Sequence, residues 1–260
     1  MQSSQGLRIE SEGASISKPL SEQVNLLGAR LGQVIKEQAG DELLELTDRL
    51  RLLCKEAAQN GNVQLREQAA GMIEALSADQ IIWLLRGFTA FFHLVNKAEQ
   101  QEVVRINRER TKNAPATTPR PESIADAIAQ LKGNGFTFEQ VMTWIDRLDI
   151  QPTLTAHPTE ARRRSILHKQ QQVASLLSKL QEQDLLPEER EDVLQDIYCQ
   201  IALLLATDDV RAERLTVSSE VEHALHFLCT SIWQVVSRIY SDLQNALETY
   251  YGTCSELPVF

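Results

Sequence analysis

Residues 150–169 read IQPTLTAHPTEARRRSILHK, with His157 directly before Pro158 and Arg162, Arg163 and Arg164 close behind. Imidazole is the side chain that changes charge near neutral pH, and guanidinium groups hold carboxylates and phosphates. Together they suit chemistry on a small anion. Proline disfavours the α region for the residue before it, so His157 is expected to be extended. Pro158 or Thr159 can then open a helix, because proline is accepted in a first helical turn. A histidine at the carboxyl end of a strand, facing a helix N-terminus, sits where free backbone N–H groups attract anions. Parallel α/β folds also gather their chemistry at strand carboxyl ends. Arginines in the first turns of a helix oppose its dipole, a cost that an anion or acidic neighbour would offset. Successive helical residues diverge by about 100°, so one or two of the three can face a common pocket. On local grounds a second reading stays open, in which His157 caps a helix and the arginines bind acidic surface residues.

Three other groups have reactive side chains. His223, His226 and Cys229 stand at i, i+3 and i+6, and His-x-x-His can bind zinc. The third position drifts by about 120° and a fourth ligand would have to come from afar, so helix packing is the expected role. Asp208 and Asp209 are adjacent carboxylates in a loop, read as solvated or capping, and the acidic run Glu182–Asp196 reads as a solvated helix start. His93, in the apolar run IIWLLRGFTAFFHLV, is expected to be a core histidine with a polar partner.

The elements that position these residues are mostly helices. Leu20, Val24, Leu27, Leu31, Val34 and Ile35 mark one over 20–38, Gly40 ends it, and Asp41 is expected to cap the next, 42–59. After the Asn60-Gly61 turn come helices at 63–76 and 79–110, the second opened by a Ser77/Gln80 capping box. The apolar half of that long helix should be buried on most sides and its polar half, NKAEQQEVVRINRER, should emerge into solvent. Residues 111–122 hold Pro115, Pro119 and Pro121 and read as an extended loop. Helices at 123–132 and 138–148 follow, the second with a Thr137/Gln140 capping box. A short strand is expected at about 152–157, then helices at 159–182, 187–206 and 219–250, with Pro187 in a first helical turn.

Composition narrows the function classes. A formal charge of −10 argues against a general nucleic-acid binder, though not against a local basic pocket. Cys54, Cys199, Cys229 and Cys254 form no C-x-x-C pair and no secretory signal precedes them, which favours reduced thiols in a cytosolic protein. No run of about 18 apolar residues is present to span a membrane.

The segment LTAHPTEARRRSILHK closely resembles the N-terminal signature of the phosphoenolpyruvate carboxylase family. LLGARLGQVIKEQAGDELLELTDRLR (26–51), FFHLVNKAEQ (91–100) and TDDVRAERLTVSSEVEHAL (207–225) are similar to further blocks of that family, so the resemblance spans residues 20–260. It implies conversion of phosphoenolpyruvate and bicarbonate, with Mg²⁺ or Mn²⁺, to oxaloacetate and phosphate. It assigns His157 as the general base that takes the proton from carboxyphosphate, a role suited to a neutral imidazole. Arg163 and Arg164 match the family's paired arginines, with charge neutralisation or loop anchoring as alternative roles. The family is also cytoplasmic and homotetrameric.

The departures are as informative. The family's chains run to roughly three times this length, and its glycine-rich segments, catalytic lysine, metal-binding carboxylates and most substrate arginines have no counterpart here. Val217 follows Thr216 where the family usually has proline. The expected fold is therefore mainly α, the helical N-terminal part of an incomplete α/β (TIM-type) barrel with one or two short strands. The expected divisions are a disordered lead (1–19), an N-terminal helical region (20–110), a Pro-rich loop (111–122) and helices plus the first barrel strand (123–260). As a truncated product or fragment, it would be inactive alone, with no metal ligands of its own. The competing reading is a non-catalytic helical interaction module from the same family.

Overall fold

The computed structural model describes residues 16–115, 118–151, 163–182, 184–208, 216–253 and 257. Helices dominate, and the described residues include no strand. In chain order they are α1 (Lys18–Ala39), α2 (Asp41–Asn60), α3 (Val63–Glu74), α4 (Ala78–Asn113), α5 (Ile124–Gly133), α6 (Phe138–Ile145), α7 (Arg164–Leu180), α8 (Pro187–Leu205), α9 (Val217–Phe227) and α10 (Trp233–Tyr251). A five-residue π segment, Leu228–Ile232, joins the last two. The expected strand at 152–157 lies outside the described residues.

Local chemistry explains most boundaries. Ser17 caps α1 by accepting from Leu20 N–H at 3.3 Å. Gly40, at φ 92°, separates α1 from α2 in a conformation a side chain would resist. Gly40 is thus the N-cap of α2, and Asp41 is its first helical residue rather than the cap. Asp41 instead pairs with Lys36 Nζ at 2.7 Å. Both capping boxes are present, with Ser77 N–H donating to Gln80 Oε1 (3.0 Å) and Thr137 N–H to Gln140 Oε1 (2.9 Å). Glu189 Oε2 likewise accepts from Leu186 N–H at the start of α8.

Contacts divide the chain into two compact units, residues 1–104 with 162–211, and 105–161 with 212–260. The first unit has its core where α1, α2, α4, α7 and α8 meet, around Leu31, Leu94, Ile166, Leu177 and Ile197. A smaller cluster of Leu50, Ala69 and Leu84 ties α2, α3 and α4 together. In the second unit Ile128, Val141, Ile145, Leu243, Ala246 and Leu247 form the core of α5, α6 and α10. Tyr251 closes it, donating from its hydroxyl to the Phe136 carbonyl at 3.1 Å.

Two expectations about α4 fail. Its apolar half is not buried on most sides, since Leu85 is 63% and Phe92 59% exposed. One face, through Leu84, Gly87, Ala90, Phe91 and Leu94, meets the core, while the opposite face has no cover among the described residues. Its polar half does not wholly emerge either. Ala98 and Glu102 continue the buried face at four-residue steps, and Glu102 is fixed by the Ser17 hydroxyl at 2.5 Å.

Candidate functional site

His157, the residue the sequence singles out, lies in 152–162, outside the described residues, as do Pro158 and Arg162. The described structure begins again at Arg163. Its backbone is extended (φ −61°, ψ 137°), and its carbonyl accepts from Ile166 and Leu167 N–H at 2.9 and 3.2 Å. Arg163 is therefore the N-cap of α7 and Arg164 its first residue, while positions 159–162 of the expected helix lie outside the described residues. Arg163 is half-buried and Arg164 exposed, so the pair diverges as helical geometry requires. Ile166, Gln170, Val173 and Leu177 face the core at 4-3-4 spacing. That stripe fixes the start of α7.

Two cavities flank His93, which is itself buried. One, of about 250 Å³, is mostly apolar and lies among Leu85, Thr89, Ala90, His93, Ile166 and Leu204. At its rim Arg86 Nη2 meets Asp208 Oδ1 at 2.5 Å, so Asp208 serves an ion pair. Asp209 lies outside the described residues. The second cavity, of about 380 Å³, is polar and lined by His93, Asn96, Lys97, Gln100 and Gln170. Lys97 Nζ donates to Gln100 Oε1 at 2.8 Å beside it. Gln170 is buried, and its Nε2 has no hydrogen-bond partner among the described residues. Sequence reasoning overlooked Gln170 and Glu102, although each stands on a core-facing register, Gln170 between Ile166 and Val173 and Glu102 four residues after Ala98.

No described group of three or more His, Cys, Asp or Glu side chains comes together as a metal site. His223 and His226 both pack against Phe227, with ring centroids 4.9 and 5.4 Å away in edge-on geometry. Cys54, Cys199 and Cys229 are exposed free thiols. No described helix is long and apolar enough to cross a membrane.

Among the described residues the frame is all-helical, and in the sequence the segment containing His157 runs directly into α7. The sequence model of phosphoenolpyruvate carboxylase matches residues 20–258, and the chain belongs to that family. Among curated relatives named phosphoenolpyruvate carboxylase, the protein of Rhodothermus marinus is 57% identical over 246 residues, 95% of this chain and 26% of the relative. The Roseiflexus castenholzii protein is 40% identical over 241 residues (91% and 25%). The Thermus thermophilus protein is 35% identical over 233 residues (90% and 26%). The chain thus spans about a quarter of the length of these relatives.

Proposed function

We propose that this chain supplies the histidine-bearing part of a phosphoenolpyruvate carboxylase, which carboxylates phosphoenolpyruvate with bicarbonate to give oxaloacetate and phosphate. The observation that carries the reading is the family match over residues 20–258, which contains the LTAHPTEARRRSILHK signature. In this reading His157 is the general base. It accepts the proton of carboxyphosphate, which then breaks into CO₂ and phosphate, and the enolate of pyruvate attacks the CO₂. Residues 20–110 form the N-terminal helical region. Residues 123–260 contribute the first strand of an α/β barrel, at 152–157, and the helices after it. The complete enzyme would be a cytoplasmic homotetramer using Mg²⁺ or Mn²⁺. The described residues do not fit a metal site, so no step is assigned to a metal held by this part of the molecule.

The structure supports a positioning role for α7. Ile166 is buried at its first turn and Arg163 is held half-buried at its N-cap. The segment of sequence that carries His157 therefore runs into a fixed helix. A base must lie within hydrogen-bond reach of its proton, so fixing that end narrows the search the imidazole makes.

The test is oxaloacetate formation by this chain, alone and with the part of the Rhodothermus marinus relative that the match leaves out. The expected result is no turnover alone and Mg²⁺-dependent turnover with the complement, lost in His157→Asn. Full activity of His157→Asn would overturn the general-base assignment. Absence of turnover with a folded complex would favour the interaction-module reading instead.

A further inference from the structure

We infer that the bare apolar face of α9, the π segment and the first half of α10 is an internal docking surface. Its occupant is an apolar, uncharged face of the phosphoenolpyruvate carboxylase polypeptide that this chain does not span.

Apolar residues recur at steps of three and four from Val217 through Val221, Leu225, Leu228, Ile232, Val235 and Ile239 to Leu243 and Leu247. The far end of that stripe is used, since Leu243, Ala246 and Leu247 are buried against α5 and α6. The near end is not: Val221, Leu225, Leu228 and Val235 are exposed, and Trp233 is 75% exposed. Beside it a groove of about 240 Å³ opens between Ile150 and the residues from Ser231 to Tyr240, with almost wholly apolar walls. Residues 217–240 would extend about 36 Å as a helix, too long a bare stripe for an isolated surface.

Charge selects the occupant. From His223 to Ser237 the sequence has no Asp, Glu, Lys or Arg. A two-stranded coiled coil with a second copy would leave its outer faces in water and carry charges beside the seam. A helix without charge around its circumference is built to be covered on more than one side. The relatives contain polypeptide to form such a cover, because this chain spans about a quarter of their length.

The inference rests on family membership and not on the role of His157, and its test reads burial rather than turnover. Cys229 lies on the π segment and is exposed, so maleimide labelling read by peptide mass spectrometry reports that face. A chimera joins this chain to the part of the Rhodothermus marinus relative outside the match. Labelling of Cys229 there is expected to slow about 100-fold relative to the isolated chain, as at a site that reacts only through rare local opening. The double substitution Leu225→Glu with Val235→Glu should leave the melting temperature of the isolated chain unchanged, because both side chains are already in water. In the chimera it should restore fast labelling. Equal labelling rates in chimera and isolated chain would overturn the inference. So would an isolated chain that dimerises with Cys229 protected and is returned to monomer by Leu225→Glu, since the occupant would then be a second copy.

Discussion

Ser17 offers a quantitative test of how α4 is held. Its hydroxyl oxygen accepts from Leu20 N–H, capping α1, while the hydroxyl proton goes to the Glu102 carboxylate, which is buried in α4. Ser17→Ala removes both. Loss of an N-cap costs about 1 kcal/mol, and loss of a hydrogen bond to a charged group roughly 2 kcal/mol more. The sum of about 3 kcal/mol corresponds to roughly 6–12 °C in melting temperature for a chain of this size. Asn62 provides the control. It caps α3, accepting from Gln64 and Leu65 N–H, with no such tie to a buried carboxylate among its hydrogen bonds. Asn62→Ala should cost about 1 kcal/mol. The assay is thermal unfolding by circular dichroism of both single variants, completed by Glu102→Ala and the Ser17→Ala/Glu102→Ala double variant. A coupling energy below about 0.5 kcal/mol would refute the Ser17–Glu102 tie, since independent sites add to within that margin.

Three further outcomes follow from the same coordinates. Tyr198 donates to Glu37 in a short hydrogen bond, and with Gln33 it holds the Glu37 carboxyl below its usual range while the Tyr198 phenol is pushed up. A lowered carboxylate contributes stability above its ordinary pKa and loses it as pH falls through the lowered one. Tyr198→Phe should therefore destabilise at pH 7 and converge with the parent in acid, and a pH-independent difference would count against the pairing. Gly71 has open space where a Cβ would go, so Gly71→Ala in α3 should stabilise by up to about 1 kcal/mol. Gly87→Ala should gain less or lose, because its Cβ would lie 3.3 Å from Ile35 Cδ1 in the core, and equal gains in a melt would contradict the α1–α4 packing. On α8, Ile197→Ala should cost about 3 kcal/mol and the half-exposed Leu203→Ala within about 0.5 kcal/mol, read from urea midpoints.

How far the sequence spoke depends on which physics each feature uses. Local chemistry was legible: glycine at 40 and 61, proline at 187 and the two capping boxes mark helix ends through backbone and side-chain bonds made within four residues. Core-facing stripes were legible for the same reason. Three things were not. The π segment stays hidden because apolar steps of three and four run straight through Leu228–Ile232, and the wider turn leaves no mark on that spacing. The exposure of Leu85 and Phe92 stays hidden because an apolar side chain records only that it wants cover. What supplies the cover is a property of other segments. Glu102 inverts the problem, a buried acidic residue that takes a hydrogen bond from a hydroxyl 85 residues away.

That asymmetry bears on the candidate site itself. His157 was found by type and neighbours, from Pro158 and the arginines that follow, whereas the elements around it have to be supplied by packing. What the described structure secures is the start of α7, through Ile166 beneath its first turn and Gln170 one turn further on. Leu85 and Phe92 on α4, and the stripe from Val221 to Val235, remain uncovered among the described residues. Apolar surface of that extent is stable in water only when something covers it. Relatives about four times as long as the matched segment contain the polypeptide that could do so. A general base acts only when its substrate's anionic groups are also held, and in the proposed reading the longer polypeptide of the relatives would supply the groups that hold them. In the proposed reading, burial of the α9–α10 face and catalysis by His157 should therefore both depend on the polypeptide of the relatives that this chain does not span. Cys229 protection and Mg²⁺-dependent turnover should rise together as the complement is titrated in. Protection that saturates with no turnover at any ratio would separate the scaffold from the chemistry assigned to it.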